Sequence, residues 1–122
     1  MGAPVRALLI PADAAPRLVD VAYDGTDYRA VAEAIGATWV EHVRTVLPDV
    51  ALIVDEEGLL DGRWFNALAS RLYSHFASRV VGDVLVFSEL DTPAGRDITD
   101  LSDEHLGLVA VLLGIDPKEL HP

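Results

Sequence analysis

A wholly apolar tetrapeptide, Ala51-Leu52-Ile53-Val54, runs directly into three acids and a glycine, Asp55-Glu56-Glu57-Gly58. Four apolar residues are too few for a helix and suit a buried strand. The chain must therefore bring a short strand out of its core and turn at once. Val80 to Phe87 is a second strongly apolar run, broken near its start by Gly82-Asp83. Between the two lies Asn66, which can cap a helix reaching to about Ser78, with Leu68, Leu72 and Phe76 on one stripe.

The rest of the chain fills in around these runs. Val5 to Pro11 suits a buried strand, and Arg17 to Tyr23 alternates with Val19, Val21 and Tyr23 on one face. The pair predicts a hairpin. Asp24 to Asp27 combines turn chemistry with a helix cap, Tyr28 to Ile35 a short helix, and Gly36 its C′ residue. Trp39 to Leu47 fits a strand by its β-branched content and a helix by the Trp39, Val43, Val46 stripe; the strand is the expectation. Ser88 to Asp100, with Pro93 and Gly95, reads as a mobile polar loop. Ser102-Asp103-Glu104 starts a helix with Leu106, Val109, Ala110 and Leu113 inward and Gly114 as its stop, and Asp116-Pro117 caps one last turn. The sum is an α+β domain of order ββαββαβα, its sheet mainly antiparallel or mixed and its helices packed on one face.

At 122 residues the chain suits one domain spanning residues 1–122. It has no cysteine, which removes disulfides, thiolate zinc sites and thiol nucleophiles. Twenty acids against nine bases give a net charge of -11, a field that repels nucleic acid and acidic lipid and favours basic partners. No direct nucleic-acid binding and no membrane attachment are expected. The N-terminus lacks a signal layout, so the expectation is a soluble, cytoplasmic protein. Lys118 is the single lysine; arginine supplies the other bases, a bias that goes with a GC-rich genome.

Several pieces occur together in a recognisable order. They are Ala7 to Asp13, a helix ending at Gly36, Val54 to Gly58, Asn66 with Ala69, and Gly82-Asp83 before an apolar strand. In this the chain resembles the family called domain of unknown function three-eight-four-six, over about residues 5–89. Gly36-Ala37 stands where relatives carry two glycines, and the helix over about 102–120 reads as an addition. The resemblance implies bacteriophage, plasmid or mobile-element origin; with the arginine bias it implies a phage of high-GC actinobacteria. It implies no known enzymatic activity, since none is established for the family.

The acidic triplet invites an acid/base or hard-cation reading. Adjacent residues on a strand point to opposite faces, however, so Asp55 and Glu56 do not converge. The expected arrangement is a strand end with solvated acids and Gly58 at positive φ in a turn. His42, His75, His105 and His121 share no ligand spacing, so no metal and no cofactor are expected. No nucleophile elbow or phosphate loop occurs, and Ser74-His75 are mere neighbours on a helix. No catalytic residue is assigned. Trp64 and Phe65 would make a binding hot spot if exposed; the expectation is a hydrophobic staple packed onto the helix after Asn66. Residues 83–104 carry seven acids and one arginine, Arg96, which suggests phosphate-row mimicry or simply a solvated loop.

The leading functional expectation is a non-enzymatic accessory protein that binds a host or phage protein. Its candidate interaction residues are Asp55, Glu56, Glu57, Trp64 and Asn66. The rivals are an acidic nucleic-acid mimic that blocks a restriction or DNA-binding enzyme, and a small-ligand binder or enzyme using the Asp55-Glu56-Glu57 region. Homodimerisation through an exposed edge or apolar face is also open to such a chain.

Overall fold

The computed structural model describes residues 4–25, 27–60, 62–73 and 79–120. The apolar runs form strands that are buried on both sides. Ala7 to Ile10, Val50 to Ile53 and Val84 to Phe87 are each buried throughout. They belong to β1 (Pro4–Ile10), β4 (Val50–Asp55) and β5 (Val84–Thr92). β2 (Arg17–Ala22) and β3 (Val40–Arg44) lie outside them. The order across the sheet is β2-β1-β5-β4-β3, and every pairing is antiparallel. β6 (Gly95–Thr99) pairs with the second half of β5 and makes the sheet six-stranded.

The fold class and element order are those the sequence predicts, with β6 added. Residues 88–100 form a hairpin instead of a loop. Its turn is built from the residues that read as loop signals: Gly95 has φ 118°, the Thr92 hydroxyl donates to the Gly95 carbonyl at 2.7 Å, and the Ala94 N–H donates back to Thr92 Oγ1 at 3.2 Å. Ile98 is the one apolar side chain of β6 and is buried, which fixes the register.

The helices cover both faces, not one. α1 (Arg29–Ala34) buries Val31 over Ala7, Leu9, Ala51, Ile53, Leu85 and Phe87. α2 (Ala67–Ser70) and α3 (Asp103–Leu113) pack on the opposite face over Leu8, Ile10, Val50, Leu52, Val84 and Val86. The central strands have no solvated face, which is why they read as unbroken apolar runs rather than alternating ones.

α3 begins at Ser102, whose hydroxyl accepts from the His105 N–H at 3.1 Å, and stops at Gly114 with φ 73°. Asp116 caps a final 3-10 turn, Pro117–Glu119. α2 ends at Ser70, well short of Ser78. The Ser70 hydroxyl donates to the Asn66 carbonyl at 2.8 Å and accepts from Val80 N–H at 3.2 Å, and Tyr73 forms a bridge with Thr45. Phe76, His75 and Ser74 lie outside the described residues, as do Asp61 and His121. Among the described residues, no helix is long and apolar enough to cross a membrane.

Candidate functional site

β1 and β4 end, and β2, β3 and β5 begin, at the same end of the sheet. The connections there carry Ile10 to Asp13, Gly36 to Trp39, Glu56 to Asn66 and Arg79 to Asp83. Specific bonds hold these connections together.

Asp55 is buried. Its Oδ2 accepts from Arg63 Nε at 3.1 Å and its Oδ1 from the Glu57 N–H at 2.9 Å. Arg63 also donates to the Gly36 carbonyl. One carboxylate therefore shapes the turn after β4 and, through one guanidinium, ties it to the end of α1. This corrects the expectation of solvated acids. A buried carboxylate needs such partners, because unpaired it would be strongly disfavoured. Glu56 is exposed and Glu57 half-buried.

Gly58 is not at positive φ. It is needed for room: a Cβ there would lie 2.8 Å from Val81 Cγ2 and 3.3 Å from the Asp55 carbonyl. The positive φ falls instead at Gly62 (68°) and Gly82 (77°).

Asn66 is 1% exposed. Its Oδ1 caps α2 by accepting from the Ala69 N–H at 3.0 Å, and its Nδ2 donates to the carbonyls of Ile10 and Gly82, both at 2.9 Å. The helix cap read from the sequence is thus also a latch between the end of β1 and the start of β5. Asp83 adds a second, accepting from the Ala12 N–H at 3.0 Å. Both N–H donors of Asn66 and its carbonyl oxygen are engaged inside the protein.

What these bonds present to solvent is apolar. Leu59 is 75% exposed, Leu60 86%, Trp64 72% and Trp39 62%. Trp64 and Phe65 do not staple α2. Both are held extended, with Gly82 N–H donating to the Trp64 carbonyl at 2.7 Å and Phe65 bridging Val81. Phe65 is half exposed, with the Arg79 guanidinium 5.8 Å from its ring centroid. Trp39 joins the same region, since its carbonyl accepts from the Glu56 N–H at 3.0 Å.

A cavity of about 330 Å³ opens beside this surface. Val43, Val54, Val80 and Val81 form its apolar part, Leu59 and Leu60 its lip, and Glu41 and Glu56 are its exposed acids. Of the five candidate residues, Asp55 and Glu56 line this cavity; Glu57 and Asn66 do not, and Trp64 lies against a neighbouring hollow with Asp13, Arg63 and Gly82. Leu59, Leu60 and Trp39 were missed in the sequence, where apolar residues in a connection carry no sign of exposure.

The acid-rich segment 83–104 is largely paired. Glu89 lies 2.8 Å from His42 Nε2, Asp91 3.1 Å from Arg96, and Asp103 2.9 Å from Arg6. Asp97 accepts from the Tyr23 hydroxyl at 2.7 Å, and Asp100 from the Arg6 N–H at 2.7 Å. Burial, then the Asp97 hydrogen bond, raises the Tyr23 pKa; burial also raises that of Tyr28. Arg96, bonded to Asp49 and Asp91, is held more firmly protonated than an isolated arginine. Ser88 Oγ lies 2.6 Å from His105 Nδ1, but Ser88 is buried and also accepts from the Ser102 N–H, so the pair anchors α3 to β5. Among the described residues, no three His, Asp or Glu side chains converge as metal ligands.

A family model described as Domain of unknown function (DUF3846) matches residues 5–112. The chain belongs to that family. The match takes in most of α3, further than the resemblance read from the sequence, which ended near Glu89. No curated protein matches the chain. Among solved structures, it is similar to the crystal structure of the small RNA methyltransferase HEN1, at 17% identity and a TM-score of 0.64. That similarity covers 90% of this chain but only 16% of the other, and it shows a shared fold alone. Of the residues on which the resemblance was read, Asp55, Asn66, Gly82 and Asp83 take part in the bonds that latch the connections at one end of the sheet.

Proposed function

We propose that the chain is a non-enzymatic protein-binding module of phage or mobile-element origin, and that the connection over 56–65, with Trp39 beside it, is its binding surface. One observation carries the reading: large apolar side chains stand out in solvent on a connection whose two ends are held by the buried Asn66 bonds and by the Asp55–Arg63 pair. Ordering cost opposes binding, and a surface already held in place avoids much of it. Exposed tryptophan is also the side chain most often found at the centre of binding energy. The origin rests on the family resemblance and on the preference for arginine.

The site chemistry supports binding over catalysis. Asp55 and Asn66, the polar residues most suggestive of an active site, are occupied in holding the backbone. Nucleic-acid mimicry draws less support, since Glu89, Asp91, Asp97 and Asp103 are engaged by His42, Arg96, Tyr23 and Arg6.

The test is affinity capture from host lysate with the wild-type chain and with a Leu60→Ser/Trp64→Ala variant of equal thermal stability. Capture of a protein by the wild type and its loss in the variant is the expected result. Equal capture by both would remove this surface from the account.

A further inference from the structure

The cavity beside Leu59 and Leu60 has a chemistry of its own. Its volume, about 330 Å³, is at the low end of the roughly 300–1,000 Å³ usual for ligand pockets, room for one or two side chains. Its walls are Val43, Val54, Val80 and Val81. Glu41 and Glu56 are exposed, and neither makes an ion pair among the described residues. The third carboxylate in the lining, Asp55, is neutralised by Arg63. The cation in the lining, Arg79, lies over the Phe65 ring. An apolar hole with two exposed acids is thus set on a chain of net charge -11.

We infer that this cavity is the anchor point for a partner protein's segment in which a large apolar residue stands close in sequence to lysine or arginine. The apolar side chain fills the valine-lined hole. The basic side chain sets its charge against Glu41 and Glu56, and the field of the whole chain steers basic segments toward it. An acidic segment meets repulsion at the same rim, so the charges select as well as attract. The inference rests on the protein-binding reading and adds the chemistry of the partner.

Affinity selection from a random peptide library, with the full chain as bait, tests it. Selected peptides are expected to share an apolar residue near lysine or arginine. Their Kd, read by fluorescence anisotropy, is expected to weaken as salt rises and to weaken roughly tenfold in a Glu41→Lys/Glu56→Lys variant. Both glutamates are exposed, so the variant keeps the fold, which its thermal unfolding verifies. No enrichment, an acidic or uncharged consensus, or a Kd unmoved by the double reversal would each overturn the inference. The two readings fail separately. Lysate capture that depends on Leu60 and Trp64 but ignores Glu41 and Glu56 sinks only the partner chemistry; capture indifferent to Leu60 and Trp64 sinks the surface itself.

Discussion

Asn66 does three things with one side chain, and each has a measurable consequence. It caps α2 and donates to two backbone carbonyls from different parts of the chain. Asn66→Ala removes the cap and strips buried carbonyls of a partner. The expected loss is about 2–4 kcal/mol, read as a lower urea midpoint. Gly58→Ala is expected to cost about 1–3 kcal/mol through overpacking against Val81. A second substitution, Val81→Ala, should recover part of that loss, and a double-mutant cycle measures the coupling. Additive costs would show that Val81 is not the obstacle. Some of this was legible beforehand. An asparagine before an apolar helix reads as a cap, because capping is local. That Asp55 is buried with Arg63, and that Gly58 is needed for room instead of for φ, depends on contacts between segments that local sequence does not encode.

Among the elements, the strands were the most readable and the 88–100 segment the least. β1, β4 and β5 announce themselves as apolar runs because helices cover both faces of the sheet. The same runs hold the clue that a single helical layer was too few. β6 has one buried apolar residue, Ile98, and is otherwise polar, so periodicity gives it no voice; it is held by pairing to β5 and by Asp97 under the tyrosines. The Tyr23 and Tyr28 rings stand 5.0 Å apart there, and both groups have pKa values raised by burial. The fold thus holds their protonated forms. Their contribution to stability is fully present below the unfolded tyrosine pKa of about 10 and is lost as pH rises above it, where only the unfolded chain ionises. Thermal midpoints should therefore fall steeply on the alkaline side of about pH 10. Tyr23→Phe should flatten that slope while lowering stability at neutral pH by about 1 kcal/mol. An unchanged alkaline slope would contradict the buried hydroxyl.

At the scale of the molecule, the two ends of the sheet differ. One end carries the hairpin β5–β6 and the start of α3, where acids are matched to Arg6, His42, Arg96 and Tyr23. The other gathers the Asp55–Arg63 pair and the Asn66 latch and has Leu59, Leu60, Trp64 and Trp39 out in water. The candidate residues read from the sequence, Asp55, Glu56, Glu57, Trp64 and Asn66, fall at that end. Of those acids Asp55 fixes the backbone, Glu56 stays exposed at the cavity, and exposed apolar residues stand beside it. Exposure was not legible, since an apolar residue in a connection reads as buried until the packing around it is seen. The most direct measurement is the affinity of a captured partner for three versions of the chain: wild type, Leu60→Ser/Trp64→Ala, and Val111→Ser, which alters an exposed apolar residue on α3 instead. The account predicts at least about a tenfold loss for the first variant, as expected of hot-spot side chains, and no change for the second. An unchanged affinity in Leu60→Ser/Trp64→Ala, or a loss confined to Val111→Ser, would contradict it.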